Sequence, residues 1–385
     1  MSGFEMHRLW PVMSPEPGNP QEAEGVLNPA AARGPDGHLY LFPRLVAAGN
    51  YSRIGIARVL FNADGDPIGV RRLGIALEPA ADYEKRRDGG GGCEDPRVTF
   101  VEPLREYVMT YTAFSPSGPR IALAVSDDLL HWERLGLAEF GPYRGIQLDG
   151  VDNKDATLFP VFIPNPSGHP ELAMLHRPLF AGAHREGPAR AEGPGQAQLD
   201  PESIWISYSR TNRPDDGSHH LARFTSHHRL AAPVSSWERL KIGVGTPPVL
   251  TRHGWMVIYH GVSDLPGPTG AGHPHRYSAG VMVLSGEHPR VIRYRSAEPI
   301  LAPELPQERQ GTVANVVFPT GIDRRDDLGS PERFDVYYGM ADNQIGVARL
   351  DLPETLPGEM TPGLLRQLPA PGGIPAPSVT GPSRM

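Results

Sequence analysis

In six places the chain sets charged or imidazole side chains at the edge of an apolar run. Asp95 stands in "GGGGCEDPRVTF" (89–100), Lys154 and Asp155 in "DNKDATLFP" (152–160), and His176 and Arg177 in "MLHRP" (174–178). Lys241 opens "KIGVGTPP" (241–248), Tyr259 and His260 lie in "IYHG" (258–261), and Asp342 lies in "GMADN" (339–343). Carboxyls, imidazoles and cations are the groups that move protons and hold anions. Taken singly, each has a plain structural explanation. An acid before proline forms turns, a His-Arg pair ending a strand bonds a loop, and a lysine beside glycine faces water. The glycines ahead of Asp95 permit close backbone approach, and Pro96 stiffens the turn. Lysine is scarce: Lys85, Lys154 and Lys241 are the only three among 37 basic side chains. Lys85 falls in the charged run "YEKRRD" and reads as solvated surface; the other two sit in the stretches above.

The elements that must position these groups are strands. Period-2 apolar runs recur at 38–46, 53–61, 105–114, 119–126, 203–210, 254–262, 278–285, 333–341 and 343–352, bounded by turn residues. With 44 glycines and 43 prolines, long helices are disfavoured. Many short, evenly spaced strands imply a sandwich, a barrel or a propeller. A weak repeat favours the propeller: "RIALAVSDDLLHWERLG" (120–136) matches "HLARFTSHHRLAAPVSSWERLKIG" (220–243), with Trp132 and Trp237 each expected to open a second strand. In a propeller the innermost strands begin around one axis, which would bring the six stretches together. One domain is expected over 26–352, after an N-terminal extension (1–25) and before a proline-rich tail (353–385). Residues 181–203 read as an insertion between blades.

Composition excludes several classes. A net charge of −7 argues against a nucleic-acid surface, and no apolar stretch is long enough to span a membrane. One cysteine, Cys93, and an N-terminus without an apolar signal core imply a reducing, cytoplasmic setting. The pairs His219-His220, His227-His228 and His273-x-His275 lack a further ligand at suitable spacing, so no metal site is expected. The glycine run lacks the lysine–hydroxyl ending of a nucleotide loop.

From Asn28 to about Leu352 the chain resembles glycoside hydrolase family 130, the inverting β-mannoside phosphorylases and their hydrolase relatives. The motifs that carry the resemblance are "NPAAARGPDGHLYLFPRL", "CEDPRVTF", "NKDATLFP", "MLHRP", "KIGVGTPPVLTRHGWMVIYHGV", "VFPTG" and "VYYGMADNQIGVA", in family order. The resemblance implies a five-bladed β-propeller with an axial active site. It makes Asp95 the general acid, acting through the mannosyl 3-hydroxyl, with Glu94 or Arg97 positioning its carboxyl. Such a covered carboxyl is expected to have a raised pKa. A phosphorylase needs cations for a dianion instead of a second carboxylate for water. The resemblance gives that task to Lys154 and Lys241, with Arg44, Arg177 and His260 as further phosphate ligands. Asn28, Arg44, Asp155, His176, Tyr259, Phe318 and Asp342 would surround the mannosyl unit. The expected partners are a β-mannoside and inorganic phosphate as co-substrate, with no cofactor; a homo-oligomer stays open. The alternatives are a β-mannosidase using water in the same pocket and a silent sugar-binding propeller.

Overall fold

The computed structural model describes residues 3–85, 90–143, 147–180, 202–209, 221–265, 274–329 and 332–357. The fold is all-β: among the described residues, helix is limited to one α-turn, Pro306–Arg309, and a few 3-10 turns. No described helix is long and apolar enough to cross a membrane.

The strands form antiparallel meanders, each packed on the next. The first runs through Gly25–Arg33, Leu39–Ala47, Tyr51–Phe61 and Pro67–Leu77; the second through Gly91–Val101, Glu106–Ser115, Gly118–Ser126 and Glu133–Leu137. They fuse into one eight-stranded sheet where Tyr51 and Ser52 pair in parallel with Gly91 and Gly92. That junction explains half of the glycine run. A Cβ at Gly92 would collide with the Ser52 carbonyl, and its φ of 108° suits glycine alone. Gly91 and Gly92 are therefore strand residues.

A third meander comprises Asp152–Leu158, Pro170–Leu179, Ile204–Ser209 and Arg223–Ala231, with Glu139–Phe140 parallel to its last strand. A fourth comprises Lys241–Val244, Gly254–Asp264, His275–Leu284 and Ile292–Arg295. The fifth has Val317–Arg324, Arg333–Met340 and Gln344–Asp351, and its fourth strand is Met6–Met13 from the other end of the chain. The segment read as an N-terminal extension is thus part of a sheet. The tail is described as far as residue 357, and the 181–203 insertion lies outside the described residues except for Glu202 and Ser203.

Strand alternation drives this packing, because successive side chains leave a strand on opposite faces. On Gly254–Asp264, Trp255, Val257 and Tyr259 enter a core shared with the third meander, while Met256 and Ile258 enter one shared with the fifth. Similar cores join the first meander to the second and the second to the third. The last joins the fifth to the first, through Tyr337, Ile345 and Val347 against Val26, Leu39 and Leu41.

The repeat proposed from the tryptophans does not hold. Trp132 precedes the outermost strand of the second meander, whereas Trp237 sits in the 3-10 turn Ser236–Glu238 before the first strand of the fourth. The recurring unit is a buried glutamate that receives two backbone N–H groups, a tyrosine hydroxyl and an arginine. Glu84 takes Ala80 and Ala81 N–H, Tyr111 Oη (2.6 Å) and Arg134 Nε (2.9 Å). Glu238 takes Val234 and Ser235 N–H, Tyr259 Oη (2.9 Å) and Arg295 Nη2 (2.7 Å). Glu308 takes Glu304 and Leu305 N–H, Tyr338 Oη (2.9 Å) and Arg8 Nε (2.8 Å). A buried carboxylate persists only when so fully partnered. The members come from widely separated positions, so no local sequence match exposes them.

Candidate active site

The first strands of the meanders lie against one another, Gly91–Val101 touching Gly25–Arg33, Asp152–Leu158 and Val317–Arg324. Three of them break register with a bulge at the same place: between Leu27 and Ala30, Glu94 and Arg97, and Lys154 and Thr157. Each bulge holds one polar residue in the left-handed region, Asn28 (φ 44°), Asp95 (φ 47°) and Asp155 (φ 54°). Asn and Asp tolerate this conformation better than other side chains, yet it still costs about 1–3 kcal/mol at each site. Ala341 and Asp342 (φ 46° and 49°) add a fourth point after the fifth meander's second strand. Four polar positions held in this conformation, three of them on neighbouring inner strands, mark a site that the scaffold is holding in shape.

Arg97 ties the inner strands together. It is 1% exposed, and it donates to the backbone carbonyls of Asp95 (2.9 Å), Val244 (3.0 Å) and Gly245 (2.9 Å), linking the second meander to the fourth. Its guanidinium also lies 3.7 Å from Asp155 Oδ1 and over the Phe318 ring at 5.7 Å. Around it the polar side chains fall into two connected groups.

The first group holds Asp95. Asn28 Nδ2 donates to Asp95 Oδ1 at 2.9 Å, and Arg44 Nη1 reaches the same oxygen at 3.3 Å. Arg44 Nη2 donates to Glu94 Oε1 at 3.0 Å, and Lys154 Nζ lies 3.6 Å from Glu94 Oε2 and 5.4 Å from the Phe114 ring centre. The group opens to solvent through Lys154, whose side chain is 26% exposed. The direction expected for a sugar-covered Asp95 is not the one that its protein neighbours impose. Burial pushes its carboxyl up, but Arg44, Arg97, Lys154 and the Asn28 amide outweigh that and hold it below the usual carboxylate range. The raised carboxyl is Asp342, which burial lifts to about 6 against the pull of Arg44, with Asp95 and Glu94 adding repulsion.

The second group holds Asp155. Arg177 Nε donates to Asp155 Oδ2 at 2.6 Å, and His260 Nε2 lies 3.6 Å from the same oxygen. Arg177 also pairs with Glu202. His260 is fully buried against Phe318, ring centres 4.3 Å apart, and among the described residues neither ring nitrogen has a hydrogen-bond partner. Burial pushes its pKa down to about 3 despite Asp155, so the ring is neutral. Lys241 Nζ lies over Tyr277 at 5.7 Å, and Tyr277 packs on both Phe318 and His260. Burial, with repulsion from Arg177 and Lys154, lowers the Lys241 ammonium to about 8. Gly243 permits the approach, because a Cβ there would strike both the Asp155 carboxylate and the His260 ring.

Two predicted sugar contacts face elsewhere. Tyr259 belongs to the Glu238–Arg295 network and packs on Trp237, on the strand face opposite His260. His176 has both nitrogens engaged, Nδ1 with Asn153 and Nε2 with Ser207 Oγ (2.7 Å), which in turn meets His227. Strand alternation separates it from its neighbour Arg177. A cavity of about 1170 Å³ between the outer strands of the second and third meanders is lined by Arg120, Phe140 and Asn153, and none of the Asp95 or Asp155 group reaches it. Among the described residues no cluster of metal-ligating side chains occurs. Sequence reading passed over Tyr277 and the bridging role of Arg97, since neither carries a local signal beyond residue type.

Comparison with known proteins gives the arrangement a context. A family profile described as beta-1,4-mannooligosaccharide phosphorylase, glycoside hydrolase family 130, matches residues 8–357. A 1,2-beta-oligomannan phosphorylase of Thermoanaerobacter sp. (strain X514) is 32% identical over 348 residues, 89% of this chain and 95% of that protein. A beta-1,4-mannooligosaccharide phosphorylase of Ruminococcus albus is 31% identical over 288 residues, covering 75% of this chain and 71% of that one. Among solved structures, the beta-1,2-mannobiose phosphorylase of Listeria innocua, in complex with beta-1,2-mannobiose, superposes with a TM-score of 0.66 at 21% identity, covering 90% of this chain and 97% of that one. With a profile match across nearly its whole length and relatives above 30% identity, the chain belongs to glycoside hydrolase family 130.

Proposed function

We propose that the protein is an inverting β-mannoside phosphorylase, which converts a β-mannoside and inorganic phosphate to α-mannose 1-phosphate and a shortened sugar. The observation that carries this reading is one continuous ion network. Lys154 meets Glu94, Glu94 meets Arg44, and Arg44 meets Asp95, so a cation open to solvent and a buried acid share a single site. The phosphorylase names of the relatives support it. The five meanders, each packed on the next and the last on the first, favour a five-bladed β-propeller with this network at its axis.

In this reading phosphate lies between Lys154 and Lys241, within reach of Arg177 and of a ring N–H of His260, which has no partner of its own. Asn28, Arg44, Asp155, Phe318 and Asp342 hold the mannosyl unit. A phosphate oxygen attacks the anomeric carbon as the glycosidic C–O bond breaks. Asp95 supplies the proton, through the 3-hydroxyl, to the departing oxygen. Single displacement inverts the β-centre to α. Asp155 is locked by Arg177 and Arg97 as a positioning group and cannot easily serve as a base for water.

The test is a panel of mannobioses incubated with and without phosphate. Mannose 1-phosphate forming only with phosphate is the expected result; free mannose released at full rate without phosphate would establish a hydrolase instead. Replacing Asp95→Asn should lower turnover by roughly 10²–10⁴, and unchanged turnover removes Asp95 from the acid role.

A further inference from the structure

Arg44, Arg97, Lys154 and the Asn28 amide hold the Asp95 carboxyl low, the wrong direction for a general acid. The groups around it show what can reverse this. Asn28 faces it from Gly25–Arg33, Arg44 from Leu39–Ala47, and Arg97 from its own strand; Lys154 acts from Asp152–Leu158, and Asp342 from beyond Arg333–Met340. Of the cations, Arg97 is fixed to three carbonyls and Arg44 donates to Ser52, Asn50, Glu94 and Asp95. Lys154 has the loosest hold, a 3.6 Å contact to Glu94 and partial exposure.

Glu94 is placed to connect the two ends. In a regular strand, neighbours point to opposite faces, and Glu94 and Asp95 would part company. The bulge between Glu94 and Arg97, with Asp95 at φ 47°, turns both carboxylates onto the one guanidinium of Arg44. Glu94 is 2% exposed, one oxygen on Arg44 and the other on Lys154.

We propose that Glu94 is a positioning residue that links the phosphate site to the acid, so that phosphate arriving at Lys154 is accompanied by uptake of a proton at Asp95. The inference rests on the phosphorolytic reading above. Phosphate brings negative charge to the cation that helped keep Asp95 ionised, and it competes with Glu94 for Lys154. Glu94 then neutralises Arg44 alone, and the positive field on Asp95 falls from two directions. The acid is armed only when the nucleophile is in place. The proton comes from solvent and leaves with the departing sugar hydroxyl.

The experiment is calorimetric titration of inorganic phosphate into the wild-type enzyme, in buffers of differing ionisation enthalpy. Uptake approaching one proton per phosphate is expected. The D95N enzyme corrects for phosphate's own ionisation and should take up none beyond it. In Glu94→Gln the uptake should at least halve, with turnover reduced about tenfold or more and the KM for phosphate unchanged or lower. A merely structural role would instead raise KM and leave proton uptake intact, and that result overturns the proposal. Following the Asp95 carboxyl by ¹³C NMR in the wild-type enzyme, with and without phosphate, needs no folded Glu94 variant; an unmoved midpoint also overturns it. Failure of the two readings is distinguishable. Phosphate that binds and supports turnover with no proton taken up ends the coupling alone, whereas an enzyme that binds no phosphate ends phosphorolysis as well.

Discussion

Raising the pH should weaken phosphate binding, and Lys241 contributes a share of that effect that can be isolated. Its ammonium is lowered to about 8 by burial, with Arg177 and Lys154 repelling it and Asp155 only partly offsetting them. A phosphate site that needs this charge has an apparent KM proportional to one plus the ratio of neutral to charged lysine. Between about pH 7.5 and about pH 9.5 that factor rises from ~1.3 to ~33, so KM for phosphate should climb about 25-fold. Lys241→Arg keeps the cation charged throughout and should remove this residue's share of the slope, leaving only the part coupled to Asp95, whatever it does to the absolute KM. The assay is initial-rate formation of mannose 1-phosphate, at saturating mannoside and varied phosphate, across that pH range. A wild-type KM that stays flat, or an arginine variant with the same slope, would refute the assignment of Lys241 to phosphate.

Three further outcomes follow from the structure. Asp342→Asn should stabilise the fold above about pH 7 by roughly 1–3 kcal/mol while depressing activity. The sign follows from a folded pKa of about 6, above the unfolded value of ~4: the stabilising effect of this carboxyl is complete below ~4 and is lost as pH rises through ~6. Chemical denaturation at two pH values reads it, and equal midpoints at high pH would count against it. Arg295→Met should cost about 3–5 kcal/mol by leaving Glu238 buried without its cation, seen as a lower denaturant midpoint; a loss under ~1 kcal/mol would show that Tyr259 and the backbone amides suffice. Gly243→Ala should cut kcat/KM at least about tenfold by driving a methyl between Asp155 and His260; wild-type kinetics would mean that the pair is not needed in this geometry.

Much of the fold was legible because its middle strands are apolar, β-branched or aromatic runs bounded by turn residues. The run at 254–262 corresponds to Gly254–Asp264, and that at 343–352 to Gln344–Asp351. The first strands of the meanders were harder to see as strands, since proline and paired polar residues interrupt them at Asn28-Pro29 and Asp95-Pro96. Those interruptions are the bulges that build the site, so the same residues that hid the strands announced the chemistry. Motif reading located Asp95, Lys154, Asp155, Lys241 and His260, but it could not say which face of a strand a side chain takes. Tyr259 beside His260, and His176 beside Arg177, were lost to that one-residue ambiguity. The convergence of Arg44, Arg97 and Lys154 on Asp95 had no signal in the sequence, because the three come from different strands.

The pairing of Met6–Met13 with Gln344–Asp351 has a consequence for biosynthesis. The strand Met6–Met13 has no strand to pair with until Gln344–Asp351 has been synthesised, and its Arg8 must wait some 300 residues for Glu308. A product that stopped short of Gln344 would therefore leave unpaired edges on both Met6–Met13 and Arg333–Met340, a ready substrate for chaperones and proteases.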